Sequence, residues 1–490
     1  MTAPLGKSTA HAPSRRLADA APLALLLLAT LAALWPVCRN QFVRWDDHAI
    51  IYQNPTLNPP TLADLRIWWT TPHQRLYTPV AYTIWGLLAW LAHVPPDPKT
   101  GIALDPHVFH TANLMLHLVT SMVAYFLLKR LVGQRWPAAA GAMVFAVHPV
   151  QVESVAHASG IQGLLCGLFS LTAVLLYLRA IVPGAATDVQ GPPLEASRIS
   201  EAPLFNANIR TSPVCDAASG ESPSTNLFHP GIYLLATLAL ILALLSKPPA
   251  MTVPILAAVL QVVFLRRRPT EAIRFLWPWF LLAMPCAIIV RVIQKSPRFD
   301  VPIPFYDRPL IAGYTVAFYL WKIVLPWRLG IVYPRANPPE LISGDAIYYT
   351  WLVPAALTVL LWERRRTCRP LVAAALWFVA ALLPVLGFTH FDFQIYSTVA
   401  DRYLYLPMFG VALAAGWVLS QPWSLARPRL TGLTCAVLIS VLGVRSFFQT
   451  LVWHDTNSLF RNAHAVNPAG GAGNQDSVSR TIAGNRSPGD

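Results

Sequence analysis

Apolar runs recur along the chain between residues 17 and 442, separated by short polar turns, and many approach the roughly 20 residues that carry a helix across a bilayer. Runs at 17–37, 109–128, 138–147, 161–178, 232–245, 251–265, 275–290, 349–362, 371–386, 403–419 and 430–444 predict about eleven transmembrane helices. Two other runs do not read as simple spans. Residues 79–94 (PVAYTIWGLLAWLAHV) are short for a span and carry Tyr82, Trp85 and Trp90, which favour the headgroup level, so a helix along the outer membrane face is expected. Residues 310–325 contain Lys322 and stop at Pro326, and an odd number of spans between two cytoplasmic loops is impossible. That run must be re-entrant, packed on the outer face, or one arm of a pair. The expected fold class is all-α, a polytopic membrane bundle with a large first external loop at 39–108.

Composition agrees with the pattern. Of 490 residues, 55% are apolar and 12% charged, against about 25% charged in soluble domains. Mean hydropathy is +0.46, so an ordinary soluble protein is excluded. The net charge of +14 does not point to nucleic acid, because the basic residues sit at the ends of apolar runs rather than on one stripe. Arg15 and Arg16, Lys129 and Arg130, the arginines at 266–268 and 364–366, and Arg427 and Arg429 mark cytoplasmic loops. This bookkeeping puts residues 1–16 inside, the membrane domain at 17–452, a disordered cytoplasmic loop at 181–230 and an external tail at 453–490. Arginine outnumbers lysine 31 to 6, which suggests GC-rich coding and a bacterial inner membrane, with the amino terminus cytoplasmic and the carboxyl terminus periplasmic.

The topology sorts the polar residues. Six scattered cysteines show no metal spacing, and no metal site is expected from them. Asp46, Asp47, His148, Glu153, His157, Lys247, Asp401 and Arg402 all fall near span ends on the external face, where converging ionisable groups suggest a site. Each has a plainer alternative. Asp46 and Asp47 can serve as a general base for an incoming hydroxyl, or as loop acids or helix caps. His148 and Glu153 share a short turn and can simply bond each other. Lys247 lies outside against the positive-inside tendency and needs an anionic partner, either Glu153 or a phosphate. Arg402 can fork onto a phosphate or pair with Asp401.

In order and spacing, several segments resemble the transmembrane and tetratricopeptide-repeat O-mannosyltransferases and their bacterial relatives. They are Phe42-Val-x-x-Asp-Asp47 with Asn54, Tyr77-Thr-Pro79, His117 in Asn-Leu-Met-Leu-His, Ala146-Val-His-Pro-Val-x-Val-Glu153, Leu245-Ser-Lys247 and Arg402-Tyr-Leu-Tyr-Leu-Pro407. The resemblance implies a GT-C glycosyltransferase that takes a sugar, mannose-like, from a polyprenyl-phosphate donor at the external face and passes it to a protein, lipid or glycan hydroxyl. It maps the acidic pair onto Asp46 and Asp47, the HPxxxE turn onto His148 and Glu153, and the basic residue onto Arg402. Two departures stand out. Where relatives read Ser-Gly-Arg-x-Asp, this chain has Ile161 and Gly163 in place of the charged pair. The segment beginning Trp453-His-Asp-Thr looks like the first step into helical repeats, which the sequence does not go on to supply.

Sugar transfer from a lipid phosphate needs a base for the acceptor and cations for the departing phosphate. It needs no general acid, because a phosphate leaves unprotonated, unlike the alcohol of a glycosidase reaction. The expected assignment is an inverting transferase with Asp46 or Asp47 as base and Arg402 and Lys247 on the donor phosphate. His148, Glu153, His157 and Asp401 would support them. No cofactor is required, and a divalent metal at the Asp46/Asp47 loop is an option. The rivals are a lipid or glycan transporter or flippase, and a GT-C scaffold inactivated by the Ile161 and Gly163 changes.

Overall fold

The computed structural model describes residues 15–181, 228–293, 308–333, 349–388, 392–395 and 397–468. The linker expected at 181–230 and the end of the tail lie almost wholly outside these residues. Among the described residues all regular elements are helical, and β-type pairing is confined to two isolated bridges, His73 with Leu76 and His93 with Leu104.

In chain order the helices are α1 (Arg15–Leu34), α2 (Leu62–Thr70), α3 (Pro79–Leu91), α4 (Pro106–Val132), α5 (Arg135–Val147), α6 (Val152–Ala156), α7 (Ile161–Ile181), α8 (Pro230–Leu244), α9 (Val253–Val259), α10 (Pro269–Ile293) and α11 (Arg308–Val324). Then follow α12 (Leu352–Glu363), α13 (Arg369–Leu382), α14 (Met408–Leu419), α15 (Pro422–Leu425), α16 (Pro428–Val452) and α17 (Thr456–Val466). Proline opens α3, α4, α8, α10 and α16, where a missing N–H costs nothing and the fixed φ suits the first turn. The Asp105 side chain caps α4 by accepting from the His107 N–H at 2.9 Å, and Gly133, at φ 80°, ends it in the left-handed conformation that glycine adopts without penalty.

Among the described residues, five helices are long and apolar enough to cross a membrane: residues 20–39, 106–132, 158–181, 269–293 and 428–452. Residues Arg135–Val147 and Pro149–Ala156 form a sixth candidate, bent by 50°. The remaining apolar helices have 10–17 residues, so the expected eleven is not reached by length alone. Prolines and tight turns interrupt them: α8 gives way to a 3-10 turn at Pro248–Thr252, and α9 widens into a π-turn at Leu260–Phe264. Residues 79–91 form the expected short helix, its inner face packed with Trp68 and Phe109 while Leu87, Trp90 and Leu91 stay exposed.

The centre of the bundle is α4, α5, α7 and α14. In the most apolar stretch, α7 is 67% buried, whereas α10 is 17% and α16 is 22%, so these two present their apolar residues outward to lipid. Small residues let the central helices approach closely. A methyl added at Gly141 of α5 would collide with the Ala412 carbonyl of α14, and one at Gly410 of α14 would lie 2.5 Å from the Ala374 carbonyl of α13. Backbone cannot give way there as a flexible side chain could. Gly141→Ala should therefore destabilise the detergent-solubilised protein by about 1–3 kcal/mol, seen as a lower Tm. Gly432→Ala, whose methyl would meet nothing within 4 Å, should not lower it.

Candidate active site

The loop after α1, the bend between α5 and α6, the turn after α8 and the segment before α14 meet at one end of the bundle. At the bend, His148 has its Nδ1 accepting from the Val150 N–H at 3.3 Å, while its Nε2 faces the Ile323 carbonyl at 3.0 Å. Both ring nitrogens are engaged, which fixes the proton on Nε2 and ties the bend to the end of α11. His148 and Glu153 do not bond each other.

Glu153 is instead clasped to the turn Asp401–Leu404. Its Oε2 accepts from the Arg402 backbone N–H at 2.9 Å and its Oε1 from the Arg402 guanidinium at 2.6 Å. The pair is buried, and the guanidinium lies over the Phe393 ring, 4.1 Å from its centroid. Arg402 thus pairs with Glu153 rather than with Asp401, and Glu153 is taken before Lys247 can use it.

Asp401 faces away from Arg402 into a pocket of its own. The Tyr333 hydroxyl is 2.7 Å from both of its carboxylate oxygens, and the Tyr333 N–H donates to Ser397 Oγ. Lys322 stands behind the same tyrosine ring, its ammonium 4.9 Å from the centroid and donating to the Trp327 and Arg328 carbonyls. Burial, reinforced by the Glu153 charge, pushes the Asp401 carboxyl up to about 8. Tyr333 and Lys322 escape sequence reasoning as site residues: nothing in the spacing links positions 333 and 401.

The acidic pair divides into two different groups. Asp47 is fully buried; its Oδ2 accepts from the Val43 N–H at 3.1 Å and its Oδ1 from the Ser159 N–H at 2.9 Å, with His157 Nε2 at 3.3 Å. Burial raises its pKa against the pull of His157. It pins the first loop to the turn before α7, which is the loop-acid alternative. His157 also meets Ser159 Oγ at 2.9 Å, and its ring lies 5.2 Å from that of Trp453, a contact between this clasp and the tail. The tail helix α17 docks there as well: the Gln41 N–H donates to the His454 carbonyl and the Arg44 N–H to Thr456 Oγ1.

Asp46 is half-buried, and its carboxylate takes part in no hydrogen bond or ion pair among the described residues. Its charge reaches Lys247, Arg402 and Tyr403. Lys247 opens the 3-10 turn after α8, and burial, followed by the Arg402 charge, lowers it to about 8. Its ammonium lies 3.5 Å from the point where a side chain on Gly163 would begin. Ile161 is fully buried in the apolar cluster with Leu165, facing away from these charges. Of the two changed positions, 161 and 163, only Gly163 touches the site, and it leaves space beside Lys247.

The described residues bring together few donors for a divalent metal at the Asp46/Asp47 loop. Asp47 spends both oxygens on loop N–H groups, which leaves Asp46 as the single free carboxylate of the pair, and no three His, Cys, Asp or Glu residues gather elsewhere among the described residues. An apolar cavity of 230 Å³ opens between α8, α10 and residues 75–77, and its lining includes Leu245 and Pro248, on either side of Lys247 in sequence. A second cavity of 310 Å³ continues it, sharing Tyr77, Ile289 and Ile293.

No protein-family model matches the chain. Among curated proteins it is similar to protein O-mannosyl-transferase Tmtc1 of Drosophila melanogaster, 25% identical over 441 residues that cover 76% of this chain and 50% of that protein. Protein O-mannosyl-transferase TMTC3 of Homo sapiens is 22% identical over 475 residues, covering 91% and 47%. TMTC1 of Mus musculus is 34% identical over 191 residues, covering 36% and 19%. The curated homologues are therefore TMTC O-mannosyltransferases, as the motifs suggested, and the chain spans about half the length of the first of these relatives. Among solved structures it is similar to the Archaeoglobus fulgidus oligosaccharyltransferase, with 11% identity, a TM-score of 0.44, and coverage of 95% of this chain and 59% of that one.

Two outcomes follow from this geometry. Asp47→Asn should cost about 1–3 kcal/mol of stability through its lost loop bonds, while Asp46→Asn should stay within about 0.5 kcal/mol, both read from thermal unfolding. Between the ordinary carboxylate value of 3.8 and about 8, the folded chain keeps a proton on Asp401 that the unfolded chain releases. Stability should thus fall as pH rises through that window, and Asp401→Asn should flatten the slope of Tm against pH from 5 to 8.

Proposed function

We propose that this chain is a membrane glycosyltransferase that moves a sugar from a polyprenyl-phosphate carrier to an acceptor hydroxyl, with inversion at the anomeric carbon. The observation that carries the reading is the unbonded Asp46 carboxylate within electrostatic reach of Lys247 and Arg402, together with an apolar groove lined by Leu245 and Pro248, which flank Lys247 in sequence. A long isoprenoid fits such a groove, since burial of apolar chain there stabilises by roughly 25 cal/mol per Å². Its phosphate would then lie at Lys247, where Gly163 leaves room.

In the reaction the acceptor oxygen attacks the anomeric carbon as its proton passes to Asp46. The bond from that carbon to the phosphate oxygen breaks, and the electron pair leaves with polyprenyl phosphate. Lys247 and Arg402 meet the departing negative charge. Arg402 does so while held by Glu153, so its contribution is a fixed positive edge; Lys247 has no such clamp and can move onto the phosphate. Asp47, His148, His157 and Asp401 act by holding the loops in place. The printed names of the relatives favour mannose as the sugar and protein as the acceptor. Lipid or glycan hydroxyls would fit the same chemistry, and we place the reaction at the periplasmic face of a bacterial inner membrane.

The test is transfer of labelled mannose from polyprenyl-phosphate mannose to Ser/Thr peptides by the purified protein. Asp46→Asn should lower turnover about 10²- to 10⁴-fold while the protein remains inserted and folded. Wild-type turnover in that variant would remove Asp46 as the base.

A further inference from the structure

At the opposite end of the bundle lies a third cavity, separate from the groove beside Lys247, of 670 Å³. It is a slot between α1, α5 and the first half of α16, with walls that include Leu25, Ala29, Met143, Gly432 and Ala436. Its size falls in the range of about 300–1,000 Å³ typical of small-molecule sites. We propose that this slot holds one acyl chain of an anionic glycerophospholipid, whose phosphate rests against Arg427 and Arg429.

Three observations select this occupant. The first is length. Along α16 the slot runs from Pro428 to Ser440, and at 1.5 Å per residue this is about 18 Å, close to one leaflet of a hydrocarbon core about 30 Å thick. It then closes: Gly443 meets Ala33 of α1, and Ser446 Oγ donates to the Val147 carbonyl at 2.6 Å. A single lipid tail needs only this half of the bilayer, which is the length the slot supplies.

The second is charge. Arg427 and Arg429 flank the slot-lining Pro428 and are both exposed, and the two segments at the mouth, residues 133–137 and 419–432, carry three arginines and no acid. Basic residues at the mouth of a cleft between membrane helices suit an anionic headgroup. The third is the rim. Trp136 lines the mouth and Trp423 stands exposed beside it, a placement that suits the headgroup level.

The experiment is native mass spectrometry of the protein purified from bacterial membranes that contain both phosphatidylglycerol and phosphatidylethanolamine. Wild-type protein should retain phosphatidylglycerol at about one per chain, in preference to phosphatidylethanolamine. The paired substitution Arg427→Gln and Arg429→Gln should cut retention of phosphatidylglycerol about tenfold or more, because two cations are lost. Gly432→Leu, which fills the slot and leaves both arginines, should cut it as well, with each variant checked for a monodisperse gel-filtration peak. Equal retention in either variant, no retained lipid in the wild type, or no preference for the anionic lipid would overturn the proposal. So would a dimer that Gly432→Leu dissolves.

Discussion

One end of the bundle depends on a buried carboxylate held by a residue far away in sequence. Glu153 sits on a five-residue helix just past a 50° bend and takes two hydrogen bonds from one residue, Arg402, nearly 250 positions away in sequence. With both partners buried, removing either would strand a charge, at a cost of about 3–5 kcal/mol. The bond to the Arg402 backbone fixes the turn before α14, and the bond to its guanidinium fixes the direction of the positive charge. Asp401, one residue earlier, is then forced to the other side of the turn, where Tyr333 receives it. One ion pair therefore decides which way two adjacent charged residues face.

That division explains why a cluster with so many ionisable groups leaves so few free. Glu153 clamps Arg402 in one orientation, Asp47 is spent on the first loop, and Asp401 holds its proton up to about pH 8, so the groups left unclamped are few. What remains is Asp46 and Lys247, opposite in charge and not in contact. A pair that touched would neutralise itself and offer nothing to a third group. Held apart by the loop clasp on one side and the 3-10 turn on the other, each keeps its chemistry available.

Much of the fold was legible because lipid enforces a simple rule: apolar runs become helices, with breaks where proline or charge interrupts them. The helix at 79–91 and the break at His148-Pro149 are both visible in the residues. The number of spans was less legible, because α8, α9, α12, α13 and α14 are each too short to qualify on their own length. At the site, the candidate residues were identifiable as a set, since charged groups near span ends are rare. Their pairing was not. No local spacing says that Glu153 takes Arg402 rather than Lys247, or that Asp46 and Asp47, adjacent in sequence, point into different surroundings. Such choices belong to contacts hundreds of residues apart, and Tyr333, an aromatic in an unremarkable loop, carries no mark of its partnership with Asp401.

The space at Gly163 sharpens what an empty site must be like. Lys247 is lowered to about 8 by burial first and by Arg402 second, so near neutral pH its charge is held less firmly than that of a surface lysine. A carboxylate on residue 163 would begin 3.5 Å from the ammonium and hold it charged permanently. With glycine there, that stabilisation has to come from whatever enters. On the proposed function an arriving phosphate would raise the lysine's pKa as it binds, and by linkage the same proton that charges Lys247 would tighten the phosphate. The cation is thus weakest when the site is empty and strongest when an anion lies against it. Its burial makes that coupling larger, since the same low-polarity surroundings that weaken the isolated charge strengthen the pair.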